Sequence, residues 1–396
     1  MGEAQLVRGG AVLGTAGWCA PSDIRIVDGR IAALGADLPN DGAVPVDAGG
    51  LRVVPGFVDL HVHGAGGAMF EDGDAQAVRR IVQTLPRLGT TALLATISAL
   101  PPSALQRAVE IAAAAMRSNE GARILGIHLE GPFLNPARAG AQHVDWMRPP
   151  ALDEFDALQR RAGGAIRLVT LAPELPGALE LISALRRRDV HVSLGHSEAD
   201  AAQVEAAIAA GASHVTHLFN AMAGLHHRAP GLPGIGLTDD RVCVELIADG
   251  AHIDPRVVDL VWRCKPAGRV LLVSDGVAAI GGTPGPLTLF GAACIAGDAV
   301  RRADNGHLAG SCTGLATAVR NIAGWCPRLP LADVLSAAST WPAHSLRLDA
   351  GQLAIEQVAD LVLLDAHLGV RAVASRGDWV DLPAGGEGTS HATRNI

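Results

Sequence analysis

Through its middle the chain repeats one pattern: a short β-branched or aliphatic run, a polar or glycine-rich loop, then a stretch rich in Ala and Leu. The apolar runs fall at Val53–Asp59, Thr90–Ile97, Arg123–Leu129, Ile166–Leu171, Val190–Leu194, His214–His217, Val242–Ile247 and Arg269–Ser274. Between them Asp74–Leu88, Ser103–Asn119, Leu152–Ala162, Pro176–Arg188, Glu198–Ala210 and Pro255–Cys264 predict helices, several opening on Asp, Ser or Pro and closing at Gly. That alternation implies parallel strands joined by crossover helices, and eight strands is the number that closes a barrel. The predicted fold class is α/β, a (β/α)8 TIM-like barrel.

The ends break the rhythm. Residues 1–52 alternate short strands with turns (Ile24–Val27, Asp28-Gly29, Arg30–Leu34), and Ala359–Leu364 is a further strand. They predict a small β-sandwich domain built from both termini, residues 1–52 and 349–396, around a barrel at 53–348. Gly281 to Gly310 reads as turn-rich β structure inserted after the eighth strand. From Leu382 onward Gly, Ser and Thr predict a loose tail.

Composition narrows the function. With 396 residues, 49% hydrophobic and 18% charged, the chain can build one large core, which excludes disorder and coiled coil. A net charge of −8 from 32 basic and 40 acidic residues leaves no footprint for nucleic acid. An anionic substrate would therefore need its own basic pocket. No run of 18 apolar residues occurs, and Met1 to Trp18 lacks the pattern of a signal peptide, so a cytoplasmic protein is expected. Six scattered cysteines with no C-x-x-C pair suit buried thiols in a reducing compartment. Lys265 is the only lysine.

The polar residues carry the chemistry. His61 and His63 follow strand one, Glu130 ends strand three and His196 follows strand five. His217 ends strand six, His252 lies just beyond strand seven and Asp275 follows strand eight. Any one of these is an ordinary capping residue; together they mark the C-terminal rim, where barrel active sites are built. Imidazoles and carboxylates there form a ligand set for a divalent ion of the zinc, iron, cobalt or manganese kind. The spacing His61-x-His63 points both side chains to one side of an extended segment. Glu130, His196 and His217 supply three further donors, and Asp275 is the natural proton carrier beside a metal-activated water.

The run Pro55-Gly56-Phe57-Val58-Asp59-Leu60-His61-Val62-His63-Gly64 resembles the signature of the amidohydrolase superfamily. His128-Leu129-Glu130-Gly131-Pro132-Phe133, Leu194-Gly195-His196-Ser197, Thr216-His217-Leu218-Phe219-Asn220-Ala221-Met222, Ala248-Asp249-Gly250-Ala251-His252, Val273-Ser274-Asp275-Gly276 and Leu308-Ala309-Gly310-Ser311 narrow it. In this order they are similar to the N-acetylglucosamine-6-phosphate deacetylase family, over essentially the whole chain.

The resemblance implies hydrolysis of a sugar acetamide. It makes Glu130, His196 and His217 the main metal ligands, Asp275 the catalytic acid/base, and His61 and His63 the holders of a second ion, so one or two ions are expected. It assigns Asn220, Ala221, Asp249 and His252 to the substrate, Arg228 to its phosphate across a homodimer interface, and the backbone of Leu308, Ala309 and Gly310 to the sugar. In the loop Arg138-Ala139-Gly140-Ala141-Gln142-His143, where Ala141 is also assigned to the substrate, some members carry His at the place of Gln142, which leaves open whether Gln142 or His143 makes that contact. A bidentate guanidinium suits a phosphate, with His226 and His227 adjacent. Gly231-Leu232-Pro233-Gly234-Ile235-Gly236 matches no phosphate loop and is read as a plain loop.

Relatives that bridge two metals with a carboxylated lysine on strand four are disfavoured, since Lys265 precedes strand eight. Deaminases fit Glu-Gly-Pro and Asn-Ala-Met poorly. Two alternatives stay open: deacetylation of N-acetylgalactosamine 6-phosphate, one hydroxyl away, and a barrel that only binds a sugar phosphate.

Overall fold

The computed structural model describes residues 3–382, so the tail expected beyond Leu382 lies outside the described residues. Eight parallel strands form one sheet in chain order: Phe57–Val62, Thr90–Ser98, Arg123–Glu130, Ile166–Leu171, His191–Leu194, His214–Val215, Cys243–Leu246 and Val270–Leu272. Helices follow them at Ala75–Thr84, Pro102–Ala115, Leu152–Arg161, Ala178–Arg187, Ala201–Ala210, Gly231–Thr238 and Pro255–Cys264, and Leu315–Trp325 comes after the eighth. Local signals set their starts. The Asp74 carboxylate accepts the N–H groups of Gln76 and Ala77, and Asp200 forms a reciprocal cap with Gln203.

The two end strands of this sheet meet at the rim. Asp275 N–H donates to His61 O at 2.9 Å, His63 N–H to Gly276 O at 2.8 Å, and Ser274 N–H to the Asp59 carboxylate at 3.2 Å. The barrel is thus closed by the backbone of the same segments that carry the polar residues.

The first strand departs from expectation. The run Val53–Asp59 is divided at Gly56: Arg52–Pro55 belongs to the terminal sheet, and the barrel begins at Phe57. A Cβ on Gly56 would sit 2.0 Å from Thr91 Oγ1, so only glycine lets the chain pass between the sheets here. Strand six is also shorter than expected, ending at Val215, and His217 lies just past it.

The termini build one eight-stranded sheet. Gln5–Gly14, Gly17–Val27, Arg30–Gly35, Val44–Asp47 and Arg52–Pro55 come from one end; Leu361–Leu364, Val370–Ser375 and Asp378–Trp379 come from the other. Val7, Val12, Ile24, Ile26, Ile31, Val53, Leu361 and Leu363 pack into its own apolar cluster. The expected insertion is present as a three-stranded antiparallel sheet, Gly285–Leu289, Ala292–Ala296 and Val300–Arg302.

Gly231–Gly236, read as a loop, opens the helix Gly231–Thr238. Its glycines pack where side chains would crowd: a Cβ on Gly236 would lie 3.3 Å from Leu218. The lone lysine finishes this helix, with the buried Lys265 Nζ donating to Gly236 O at 3.0 Å and Asp239 O at 2.7 Å. Among the described residues no helix is long and apolar enough to cross a membrane.

Candidate metal centre and substrate site

Glu130 stands at the middle of the rim. Its Oε1 lies 3.1 Å from His196 Nε2 and 3.1 Å from His217 Nε2, and these two nitrogens are themselves 3.1 Å apart. Donors held at about 2.0–2.2 Å by one tetrahedral ion lie roughly 3.3 Å from each other. His196 Nδ1 donates to the carbonyl of Arg138 at 2.8 Å, which makes Nε2 the atom turned toward the carboxylate. Electron-pair donors aimed at one point call for a cation between them, and the residues fit a divalent metal.

A second trio adjoins the first. His61, His63 and Asp275 present ligand atoms close enough to share an ion. His61 Nε2 is 3.2 Å from Glu130 Oε1 and 3.4 Å from Asp275 Oδ1; His63 Nε2 is 3.3 Å from Glu130 Oε2 and 3.5 Å from Asp275 Oδ1. Glu130 therefore touches both groups. The six side chains predicted from the strand ends, His252 aside, converge.

The electrostatics reflect crowding. Burial alone would push the His61 imidazole down, yet Glu130, Glu245 and Asp275 carry it up to about 10. Burial would raise the carboxyl of Glu130, but the imidazoles of His61, His196 and His217 hold it well below the ordinary range. The Asp275 carboxyl is lowered in the same way: burial opposes ionisation, and His63 and His61 outweigh it. Beneath them His128, held between Thr96 and Thr170 at 3.2 and 2.8 Å, is pushed well down by burial and by the neighbouring His61.

The sequence profile of the amidohydrolase family matches residues 52–386. The chain belongs to this family. Among its amidohydrolase relatives, N-acetylglucosamine-6-phosphate deacetylase of Bacillus subtilis (strain 168) is 35% identical over 366 residues, 90% of this chain and 91% of the relative. N-acetylgalactosamine-6-phosphate deacetylase of Escherichia coli O157:H7 is 35% identical over 378 residues, 94% and 98% of the two chains. The solved structure of N-acetyl-D-glucosamine-6-phosphate deacetylase D267A mutant from Mycobacterium smegmatis, in complex with N-acetyl-D-glucosamine-6-phosphate, superposes with a TM-score of 0.90 at 36% identity, covering 96% of this chain and 100% of that one.

The other residues expected to meet substrate in this amidohydrolase are placed unevenly. Asp249 binds His252 Nδ1 at 2.7 Å and also accepts the backbone N–H groups of Ala251 and His252, leaving the His252 Nε2 for another partner. Burial would raise Asp249, but these bonds hold it down to about 2. Asn220 turns its amide back to the carbonyls of His217 and Leu218. Ala221 lies beside Gly140 and His196, on the same rim. Ala309 pairs with Val300 of the insertion, and Gly310 sits against the Asp275 carbonyl. Gln142 is buried and donates to Glu130 while accepting from Ala99 N–H at 2.9 Å, so it braces a metal donor. His143 stacks on Trp146, with ring centroids 4.6 Å apart. Arg228 is exposed and meets His227 at 2.8 Å, away from the donor cluster's own contacts.

Three residues of this amidohydrolase rim escape a reading by strand ends. Glu71 meets His63 Nδ1 at 2.6 Å, and Glu245 meets His61 Nδ1 at 3.1 Å. Phe290, at the tip of the inserted hairpin, packs edge-on against His63 with centroids 5.3 Å apart. Glu245 did leave a signal, a single carboxylate inside the apolar run Val242–Ile247.

Proposed function

We propose that this chain hydrolyses the acetamide of N-acetyl-D-glucosamine 6-phosphate, giving D-glucosamine 6-phosphate and acetate. The observation that carries the reading is the convergence of Glu130, His196 and His217 beside Asp275 at one rim of the barrel. Names shared by relatives over most of the chain support the choice of substrate.

Glu130, His196 and His217 would hold the main divalent ion, with zinc first and iron, cobalt or manganese as alternatives; His61 and His63 provide for a second. When bound, such an ion lowers the pKa of water and polarises a carbonyl oxygen. The residues of the chain do the rest. Asp275, held as a carboxylate by its imidazole neighbours, takes the proton of the attacking water and delivers it to the amine nitrogen as the C–N bond breaks. His252, its Nδ1 fixed by Asp249, offers Nε2 to the sugar or to the developing oxyanion. Ala141, Asn220, Ala221 and the backbone of Leu308, Ala309 and Gly310 line the sugar.

Arg228 would bind the 6-phosphate by a two-pronged contact. Its exposure within one chain suits a role completed by a second copy, so we propose a homodimer in which each copy lends Arg228 to the other. The cysteines described are all free thiols, which supports a reducing, cytoplasmic location.

The competing substrate is N-acetylgalactosamine 6-phosphate, favoured by the similarity to the Escherichia coli O157:H7 enzyme. The deciding experiment measures acetate release from both epimers with metal-reconstituted protein. A higher kcat/KM on the gluco epimer supports the proposal, and bound metal without turnover of either would overturn it in favour of a binding barrel.

A further inference from the structure

Two carboxyl groups, Glu245 fully buried and Glu71 partly so, stand at the rim without a part in the chemistry above. Glu245, on the seventh barrel strand, is fully buried; one oxygen accepts from His61 Nδ1 at 3.1 Å and from the His217 backbone N–H at 3.3 Å. Glu71 lies in the short turn Phe70–Asp72 before the first helix, and one oxygen accepts from His63 Nδ1 at 2.6 Å and from the Ser98 N–H at 3.0 Å. Each therefore binds an imidazole on the side away from Glu130 and Asp275. Accepting the Nδ1 proton fixes the ring orientation, so Nε2 is the atom that each imidazole turns toward Glu130 and Asp275, where an ion would take it.

We propose that Glu71 and Glu245 are positioning residues: they aim His61 and His63 at the second ion for which the reading above already provides. The inference rests on the metal-dependent reading above and deepens it. Glu71 and Glu245 add two further carboxyl groups to Glu130 and Asp275 around the imidazoles of His61 and His63. Each of the two carboxyl groups also leaves its other oxygen, Glu71 Oε2 and Glu245 Oε1, buried without a protein partner. Groups kept only for packing would not need that expense.

The test uses the full-length protein, stripped by chelator and titrated with zinc, with bound metal counted by atomic emission and affinity read by competition with a chromophoric chelator. The unaltered chain is expected to bind two ions. Glu71→Gln and Glu245→Gln keep the shape and an acceptor for Nδ1–H, so a packing role predicts no change. A positioning role predicts that the first ion binds as before while the second weakens 10- to 100-fold, the usual effect of losing such a partner. His63→Asn, which removes a donor outright, should abolish the second ion alone.

Two ions bound at unchanged affinity in both Gln variants would overturn the inference, as would equal weakening of both ions or a single ion in the unaltered chain at saturating zinc. Should Glu245→Gln fail to fold, Glu71→Gln decides by itself. The readout involves no turnover, so a chain that binds two ions yet releases no acetate would sink the deacetylase reading and leave this one standing.

Discussion

The backbone N–H of Asp275 donates to the carbonyl of His61 at 2.9 Å, joining the end of the eighth barrel strand to the first. The same seam sets the proton carrier beside its imidazole neighbours, with Asp275 Oδ1 3.4 Å from His61 Nε2. The segments that close the cylinder are thus the ones that carry the site.

Replacing Asp275 with Asn keeps these backbone bonds and removes the carboxylate. Turnover is expected to fall by about 10²–10⁴-fold, the usual worth of general acid–base catalysis, while the ion at Glu130, His196 and His217 stays. Acetate release and metal content measured on one sample check this; near-normal rates would refute the role.

Glu130→Gln removes the one carboxylate that touches both donor trios. Metal content is expected to drop to a small fraction of the original and activity with it, by roughly 10³-fold or more. A variant that holds metal as tightly as before would show that another group anchors the ion.

For Arg228→Ala, a 10- to 100-fold rise in KM for the phosphorylated sugar is expected, matching about 1.5–3 kcal/mol for a charged hydrogen bond. An unphosphorylated analogue should change little. Equal losses on both substrates would mean that Arg228 does not read phosphate.

Gly310→Ala tests the close packing behind Asp275. Gly310 has φ +83°, and an added Cβ would lie 2.5 Å from Val277 and 2.9 Å from the Asp275 carbonyl. A stability loss on the order of 1–3 kcal/mol by urea unfolding is expected, together with a lower kcat as Asp275 shifts. An unchanged midpoint and rate would refute the contact.

His214 predicts a pH effect on stability. Burial, then the nearby His191 and Arg269, push its imidazole down to about 3, while Ser213 and Ser345 bond its two nitrogens. Below an unfolded value near 6.5 the unfolded chain takes up a proton that the folded chain refuses, so stability falls as pH drops from about 6.5 toward 3. The contribution approaches about 1.4 kcal/mol per pH unit. His214→Gln should flatten that slope in denaturant melts between pH 7 and 5; an identical slope would assign it to other groups.

Much of this architecture is legible in the chain because each metal donor ends or follows an apolar run, so strand ends reveal the rim directly. What escaped depends on contacts far away in sequence. The apolar pattern runs unbroken across Gly56, and it is Thr91 from the next strand that divides it. The helix at Gly231–Thr238 has poor local propensity and is completed by Lys265, which no local window includes. The amide of Gln142, which with His143 is a candidate for a substrate contact, is turned to Glu130, a partner fixed by tertiary folding. Glu71 and Glu245 acquire meaning only once His63 and His61 are seen beside them.

His196, His217 and Asp275 all adopt left-handed backbone, with φ of +48°, +26° and +48°. Such conformations are disfavoured for side-chain-bearing residues by about 1–3 kcal/mol each, and the surrounding barrel has to impose them. The aim of these side chains is thereby set by the backbone that the barrel imposes as well as by the groups around them.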